Sequence, residues 1–289
     1  MKSAHQTVTS ERIQKTLANL GLGSRREIER WIEQGRILLN GKTAKLGDCY
    51  TSGDTLAVDG KPIHFKTRSV NRILGLMYHK PEGEVTTRSD EKGRKTIFDH
   101  LPECEMGRWI NVGRLDLNTS GLLLLTNYGE LANRLMHPRY QMLRKYAVRV
   151  RGEVADGAIN NLLRGVKLDD GVAKLESIED AGGKGFNHWY HVTLREGKNR
   201  EVRRLWESQG VLVSRLIRIQ YGPIRLDPKL KAGQVRELRP AELNQLLNET
   251  GLPTLQPRKV KVTAYKKKKQ HRHKPARHKR GASKLLRKR

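Results

Sequence analysis

Asp116 is the residue in this chain best placed to do chemistry. It lies in the stretch Asn111-Val112-Gly113-Arg114-Leu115-Asp116-Leu117-Asn118-Thr119-Ser120-Gly121, and Leu122 to Leu125 follow. A short apolar run beside Gly and Ser reads as a buried strand. Asp116 therefore sits where a loop enters the core. A partly buried carboxylate is costly unless it is paired, and one held in place could attack a carbon or remove a proton. A lone Asp in a loop is more often a turn former or cap, so spacing alone leaves both readings standing.

Other residues could bind a polyanion. Arg200, Arg203 and Arg204 recur three or four apart, in a segment whose Val202, Leu205 and Trp206 can point inward from a helix. That spacing suggests a basic face apart from the apolar one, and Arg204 is read as simply solvated. Ser24-Arg25-Arg26-Glu27 has the form of a capping box. Cations in a first turn oppose the helix dipole, so Arg25 and Arg26 beside free N–H groups suggest a phosphate site. Tyr146 lies in the alternating run Lys145 to Val150, where packing and ligand contact are equally open.

Gly113-Arg114-Leu115-Asp116, then Thr119-Ser120-Gly121 and the leucines, resembles the active-site loop of the pseudouridine synthases. The match is to the branch that modifies ribosomal RNA and carries an S4 domain. The turn Lys80-Pro81-Glu82-Gly83 also resembles that family. The resemblance implies that Asp116 is catalytic and that Tyr146 stacks on the target base. It implies that Arg203, which fits Gly-x-x-x-x-x-Arg from Gly197, pairs with the catalytic carboxylate and holds its pKa down. Lys198, Asn199 and Arg200 would then face RNA, and Arg114 would anchor RNA backbone or the loop. The strings Glu130 to Pro138 and Asn199 to Trp206 favour the branch that acts on 23S over 16S ribosomal RNA.

These residues need two modules to position them. In residues 9–66, Ile13, Leu17 and Leu20 recur at helical spacing, and a second helix opens at Ser24. Asn40-Gly41 and Asp59-Gly60 then mark tight hairpins. This order, with Ser-Arg-Arg, resembles the S4 RNA-binding domain. Thr67 to Asn71 reads as a linker. Residues 72–250 alternate strands, such as Ile73 to Tyr78, Trp189 to Leu194 and Val211 to Tyr221, with a helix after Asn127, in which Leu131, Leu135 and Met136 make the apolar face, and another over Pro240 to Leu247. Many strands with helices on one side predict an α+β domain. The resemblance implies a mixed, mainly antiparallel sheet with a central cleft. Gly182-Gly183-Lys184-Gly185 reads as a turn, not a phosphate cradle.

The net charge is +28, and residues 258–289 hold sixteen Lys or Arg and no acid; with those removed, the first 257 residues keep +12. A basic body with a basic tail points to nucleic acid. Residues 251–289 are expected to be disordered when free and to bind phosphates without regard to sequence. His271, His273 and His278 there are too loosely spaced for a metal site. No leucine run approaches the ~18 residues of a membrane span, the first ten residues lack the apolar core of a signal peptide, and Cys49 and Cys104 read as free thiols in a reducing cytoplasm. The expected function is isomerisation of uridine to pseudouridine by a cytoplasmic monomer, with no cofactor and no metal. Its partner is ribosomal RNA, free or within a pre-ribosomal particle. A 16S enzyme and a non-catalytic ribosome-assembly factor are the alternatives. A glycosidase-like reading needs a second acid at a defined distance, and none is apparent.

Overall fold

The structure is a computed structural model that describes residues 10–63, 72–184 and 186–256. Residues 1–9, the linker Thr67 to Asn71 and the tail from residue 257, with its histidines, lie outside the described residues. The described residues up to Leu255 form one compact unit.

The chain begins with strand β1 (Glu11–Arg12) and two helices, α1 (Ile13–Asn19) and α2 (Arg25–Glu33). Ser24 Oγ accepts from the Glu27 N–H at 3.1 Å, and the Glu27 carboxylate accepts from the Ser24 N–H at 3.2 Å. This reciprocal cap starts α2 and contributes about 1 kcal/mol. Small strands follow: β2 (Ile37–Leu39), β3 (Lys42–Thr43), β4 (Cys49–Tyr50), β5 (Leu56–Val58) and β6 (Lys61–Pro62). Asn40 and Gly41 take φ of 50° and 79°, and Asp59 and Gly60 take 50° and 73°. Two successive positive φ angles are what a two-residue hairpin turn demands. Ile13, Leu17, Ile28, Ile32, Ile37 and Leu56 close this module's own core.

The second module is built on a nine-stranded sheet. Its strands are β7 (Gly75–Lys80), β8 (Ile110–Val112), β9 (Ser120–Thr126), β10 (Arg144–Arg151), β13 (Ser177–Lys184), β14 (Asn187–Leu194), β15 (Leu212–Tyr221), β16 (Ile224–Arg225) and β17 (Val235–Glu237), with β11 (Val166–Leu168) and β12 (Gly171–Ala173) paired apart from it. The order is β13-β14-β10-β15-β9-β7-β17, with β8 beside β9 and β16 beside β15. All pairs in this sheet are antiparallel except β15 with β9, which meet in parallel at Ile217–Ser120 and Arg218–Gly121. The sheet is thus mixed and mainly antiparallel.

Every residue of β9 is buried. Leu122 and Leu124 pack against α3 (Gly129–Met136) and α6 (Pro240–Glu249). Leu123 and Leu125 pack against Ile97, Trp109 and Leu115. A strand apolar on both faces needs cover on both. The helices are accordingly not confined to one side. α4 (Ala158–Arg164) and α5 (Glu201–Glu207) cover Val148 and Val150 in a layer that shares Tyr146 with the Leu123–Leu125 layer.

Three expectations are corrected. Met136 stays 39% exposed while Leu131 and Leu135 are buried, because α3 ends there and its last residue overhangs the cavity described below. Arg203, expected to pair with Asp116, lies inward at 6% exposure and is received by main-chain carbonyls instead. Residues 251–255 belong to the packed unit and not to the tail: Leu252 is buried and Leu255 packs on the same core.

Candidate active site

Asp116 lies on the loop between β8 and β9, where the parallel junction opens a cleft at the start of β9. What fixes it there is its main chain. The Leu115 carbonyl accepts from Thr86 Oγ1 at 2.8 Å. The Asp116 and Thr119 carbonyls accept from Lys80 Nζ at 3.1 and 3.0 Å. The Leu117 carbonyl accepts from the Gly83 N–H at 2.8 Å, and the Asn118 carbonyl from Arg203 Nη2 at 2.7 Å. Each of five consecutive carbonyls is therefore held from outside the loop. The Asp116 N–Cα–C frame is preorganised, and its carboxylate is left over. Among the described residues no side chain or main-chain group donates a hydrogen bond to that carboxylate or pairs with it. It lines a cavity of about 310 Å³.

Lys80 has no exposed surface, and its third contact is the Pro81 carbonyl at 2.9 Å. Burial lowers its ammonium to about 8, with Glu84, Asp116 and Glu82 pulling it back up. Arg203 uses Nη1 on the Val213 carbonyl at 2.7 Å and Nη2 on Asn118. Burial and the neighbouring Arg200 lower its pKa, and the Asp116 charge opposes that. The expected Arg203–Asp116 pair is thus not a hydrogen-bonded salt bridge. Arg203 acts on the loop that carries Asp116 and influences the carboxylate only through space.

The same cavity is lined by Tyr146, Arg114, Lys198, Asn199 and Arg200. Tyr146 stands on β10 opposite Arg218 of β15 and is half-buried between two apolar layers. Arg114 and Arg200 are exposed. Arg200 adopts φ 48° at the start of α5 and reaches Glu207 at 3.4 Å. Lys198 is engaged already, by Glu196 at 3.0 Å and the Val172 carbonyl at 2.8 Å. Arg204 is not simply solvated: it makes two 2.8 Å bonds to Asp170. Arg25 and Arg26, on the first module, do not reach the cavity.

Sequence reasoning missed four lining or supporting residues: Lys80, Arg144, Glu201 and Arg218. Arg144 and Arg218 flank the Tyr221 ring at 5.1 and 5.0 Å, and neither has a carboxylate partner among the described residues. Arg218 is 2% exposed and donates to the Leu122 carbonyl at 2.8 Å. Glu201 is 3% exposed, accepts from the Lys198 N–H at 3.0 Å, and is shifted upward by burial. The available signals were Arg218 between Ile217 and Ile219 on β15, and Lys80 closing β7 two residues past the apolar run Gly75 to Tyr78; Arg144 and Glu201 carried none.

A preorganised carboxylate in a basic, tyrosine-walled cleft can be compared with known proteins. Residues 75–208 match the family of RNA pseudouridylate synthases, and residues 11–56 match the S4 domain. A Pseudomonas aeruginosa protein described as ribosomal large subunit pseudouridine synthase B is 57% identical over 245 residues, 84% of this chain. Its Escherichia coli K12 counterpart is 52% identical over 255 residues, 88% of each chain. This chain belongs to the RNA pseudouridylate synthase family. It spans 63% of the length of the Pseudomonas relative. A crystal structure of a pseudouridylate synthase, 24% identical, superposes with a TM-score of 0.57 over 82% of this family member and all of that chain, which shows the shared fold. No helix among the described residues is long and apolar enough to cross a membrane.

Proposed function

We propose that this protein isomerises uridine to pseudouridine in 23S ribosomal RNA, with Asp116 as the catalytic carboxylate. The observation that carries the reading is the Asp116 loop: five successive carbonyls are held, and a carboxylate unpaired among the described residues lines a cavity shared with Tyr146 and several cations. The large-subunit relatives support the choice of RNA. The reaction breaks the C1′–N1 bond, turns the base and forms a C1′–C5 bond. The C5 proton leaves and N1 gains one, so atoms balance without redox or hydrolysis and no cofactor is consumed.

The uridine must first leave its stack, at a cost of a few kcal/mol. Tyr146 offers a ring for the flipped base, a contact of about 1–3 kcal/mol. Arg114, Asn199 and Arg200 lie at the cavity rim to hold flanking phosphates, with Lys198 bound beside them. Asp116 acts ionised, and Arg203 and Lys80 position it by gripping its loop. The protein acts as a cytoplasmic monomer on ribosomal RNA or a precursor particle.

Asp116→Asn should keep the fold and RNA affinity but abolish tritium release from RNA carrying 5-tritiated uridine. Activity within tenfold of the parent would remove Asp116 from the chemistry. Parent protein that binds 23S RNA yet releases no tritium would favour the assembly-factor reading.

A further inference from the structure

Two glycines join the first module to the catalytic sheet. A Cβ added at Gly21 would sit 2.9 Å from the Gly107 Cα, and one at Gly107 would sit 3.2 Å from the Asn19 carbonyl oxygen. Their φ angles are 84° and 80°, which a side chain would strain. The turn after α1 thus lies backbone to backbone on the loop before β8. On one side of this seam Arg25 opens α2, four residues past Gly21. On the other, Arg108 follows Gly107 directly, and Arg88 donates to the Trp109 carbonyl with its guanidinium 4.2 Å from the Phe98 ring centre.

Three guanidiniums therefore gather where the modules meet. Burial lowers the pKa of both Arg108 and Arg88; Glu27 supports the charge on Arg108 more than Arg25 opposes it, and Arg108 opposes the charge on Arg88. Glu27 is the carboxylate facing Arg108, and its Oε2 already accepts from the Ser24 N–H. Arg108 Nε is buried without a hydrogen-bond partner among the described residues. None of the three arginines forms an ion pair among those residues. Cations desolvated without an ion pair among the described residues weaken the free fold, and a phosphate would offset that cost.

We propose that Arg25, Arg88 and Arg108 form one phosphate site for RNA backbone, built across the seam and complete only when the two modules are docked. The proposal rests on the RNA-substrate reading above and adds where the strand crosses between modules. The planar forks suit phosphodiester oxygens, which accept two parallel N–H bonds. RNA bound there clamps the S4 domain to the catalytic sheet and sets the direction from which it enters the cavity.

The test uses full-length protein and a 23S rRNA transcript: binding across a salt series, thermal melts, and tritium release at saturating RNA. Arg25→Gln, Arg88→Gln and Arg108→Gln should each lower affinity about three- to tenfold near 0.1 M salt and flatten the log K against log salt slope by roughly 0.7–0.9. Rates at saturation should stay near parental. Arg108→Lys should keep most of the affinity, because a point charge still meets the phosphate. Gly21→Val, which pushes the halves apart, should cost as much as Arg25→Gln; if it fails to fold, the arginine variants decide alone. Parental affinity and slope in both Arg88→Gln and Arg108→Gln would overturn the seam site. In that case a parent that still makes pseudouridine leaves the proposed function standing, and a parent that makes none removes it separately.

Discussion

Lys80 Nζ donates to the main-chain oxygen of Asp116 across 3.1 Å, from a side chain with no exposed surface. The contact is to the backbone and not to the carboxylate, so Lys80 is a positioning residue. Its ammonium, lowered by burial to about 8, brings three N–H donors to three carbonyls, those of Pro81, Asp116 and Thr119. The neutral amine brings two. Folding therefore releases a proton between about pH 8 and the ordinary value of 10.5. In that window the unfolded chain binds more protons, so this group makes stability rise with pH. Activity should move the other way as the loop loosens. The expected result is an alkaline limb near pH 8 in single-turnover rate, with no matching fall in melting temperature. Lys80→Arg, which stays charged, should shift the limb upward, and Lys80→Met should be slow at every pH. A limb that stays put in a folded arginine variant rules Lys80 out as its source.

Arg203 holds the same loop from the opposite side. A direct ion pair with Asp116 would make Arg203→Leu and Asp116→Asn compensate, because no unpaired charge remains. The observed bonds to the Asn118 and Val213 carbonyls give another outcome. Arg203→Leu should cost roughly 1–3 kcal/mol for each carbonyl left unsatisfied. The double variant should show losses that sum to within about 0.5 kcal/mol. Denaturant melts of the four proteins measure this. Recovery of more than about 1 kcal/mol in the double variant would restore the direct pair.

Sequence made some of this visible and hid the rest for physical reasons. The hairpin turns, the α2 cap and the buried leucine strand were legible because each depends on residues adjacent in the chain. Asp116 stood out through its local frame. Lys80 did not receive a role, although its turn was noted, because two of its three acceptors are brought to it by tertiary folding from 36 and 39 residues away. Helical spacing alone set Arg203 on a basic face with Arg200 and Arg204. What turned it inward is a pair of carbonyls, at Asn118 and Val213, that no side-chain pattern reports. The seam arginines belong to the same class. Arg25 and Arg108 lie far apart in the chain, and contacts such as Gly21–Gly107 bring them together.

Gly121 tests the parallel junction. A Cβ there would lie 2.3 Å from the Arg218 carbonyl oxygen and 2.6 Å from its amide nitrogen, at φ +105°. Neither atom is the end of a flexible side chain. Gly121→Ala should therefore cost about 3 kcal/mol through strain and overpacking, and should slow isomerisation by moving the Asp116 loop away from Arg218. Gly83→Ala is the control: its φ is also positive, at 90°, but nothing lies within 4 Å. Urea midpoints at constant m compare the two. An equal loss at both positions would mean that β9 and β15 can separate at little cost.

Deleting residues 258–289 should weaken RNA binding far more than it slows the chemical step. These residues lie outside the described structure, so the expectation comes from composition: sixteen cations and no acid. Such a segment binds phosphates through counterion release, which is independent of sequence and steep in salt. Each lost contact should flatten the slope of log K against log salt by roughly 0.7 on single-stranded RNA, and loss of a third of the possible contacts would change it by about three or more. At saturating RNA the shortened protein should turn over near the parental rate, because Asp116, Tyr146, Lys80 and Arg203 all lie within the compact unit that ends at Leu255. Salt titration and single-turnover kinetics on both forms separate the two effects. An unchanged salt slope would mean that the tail does not touch RNA. A collapsed rate at saturation would mean that it helps to build the active site, and that the catalytic unit extends beyond Leu255.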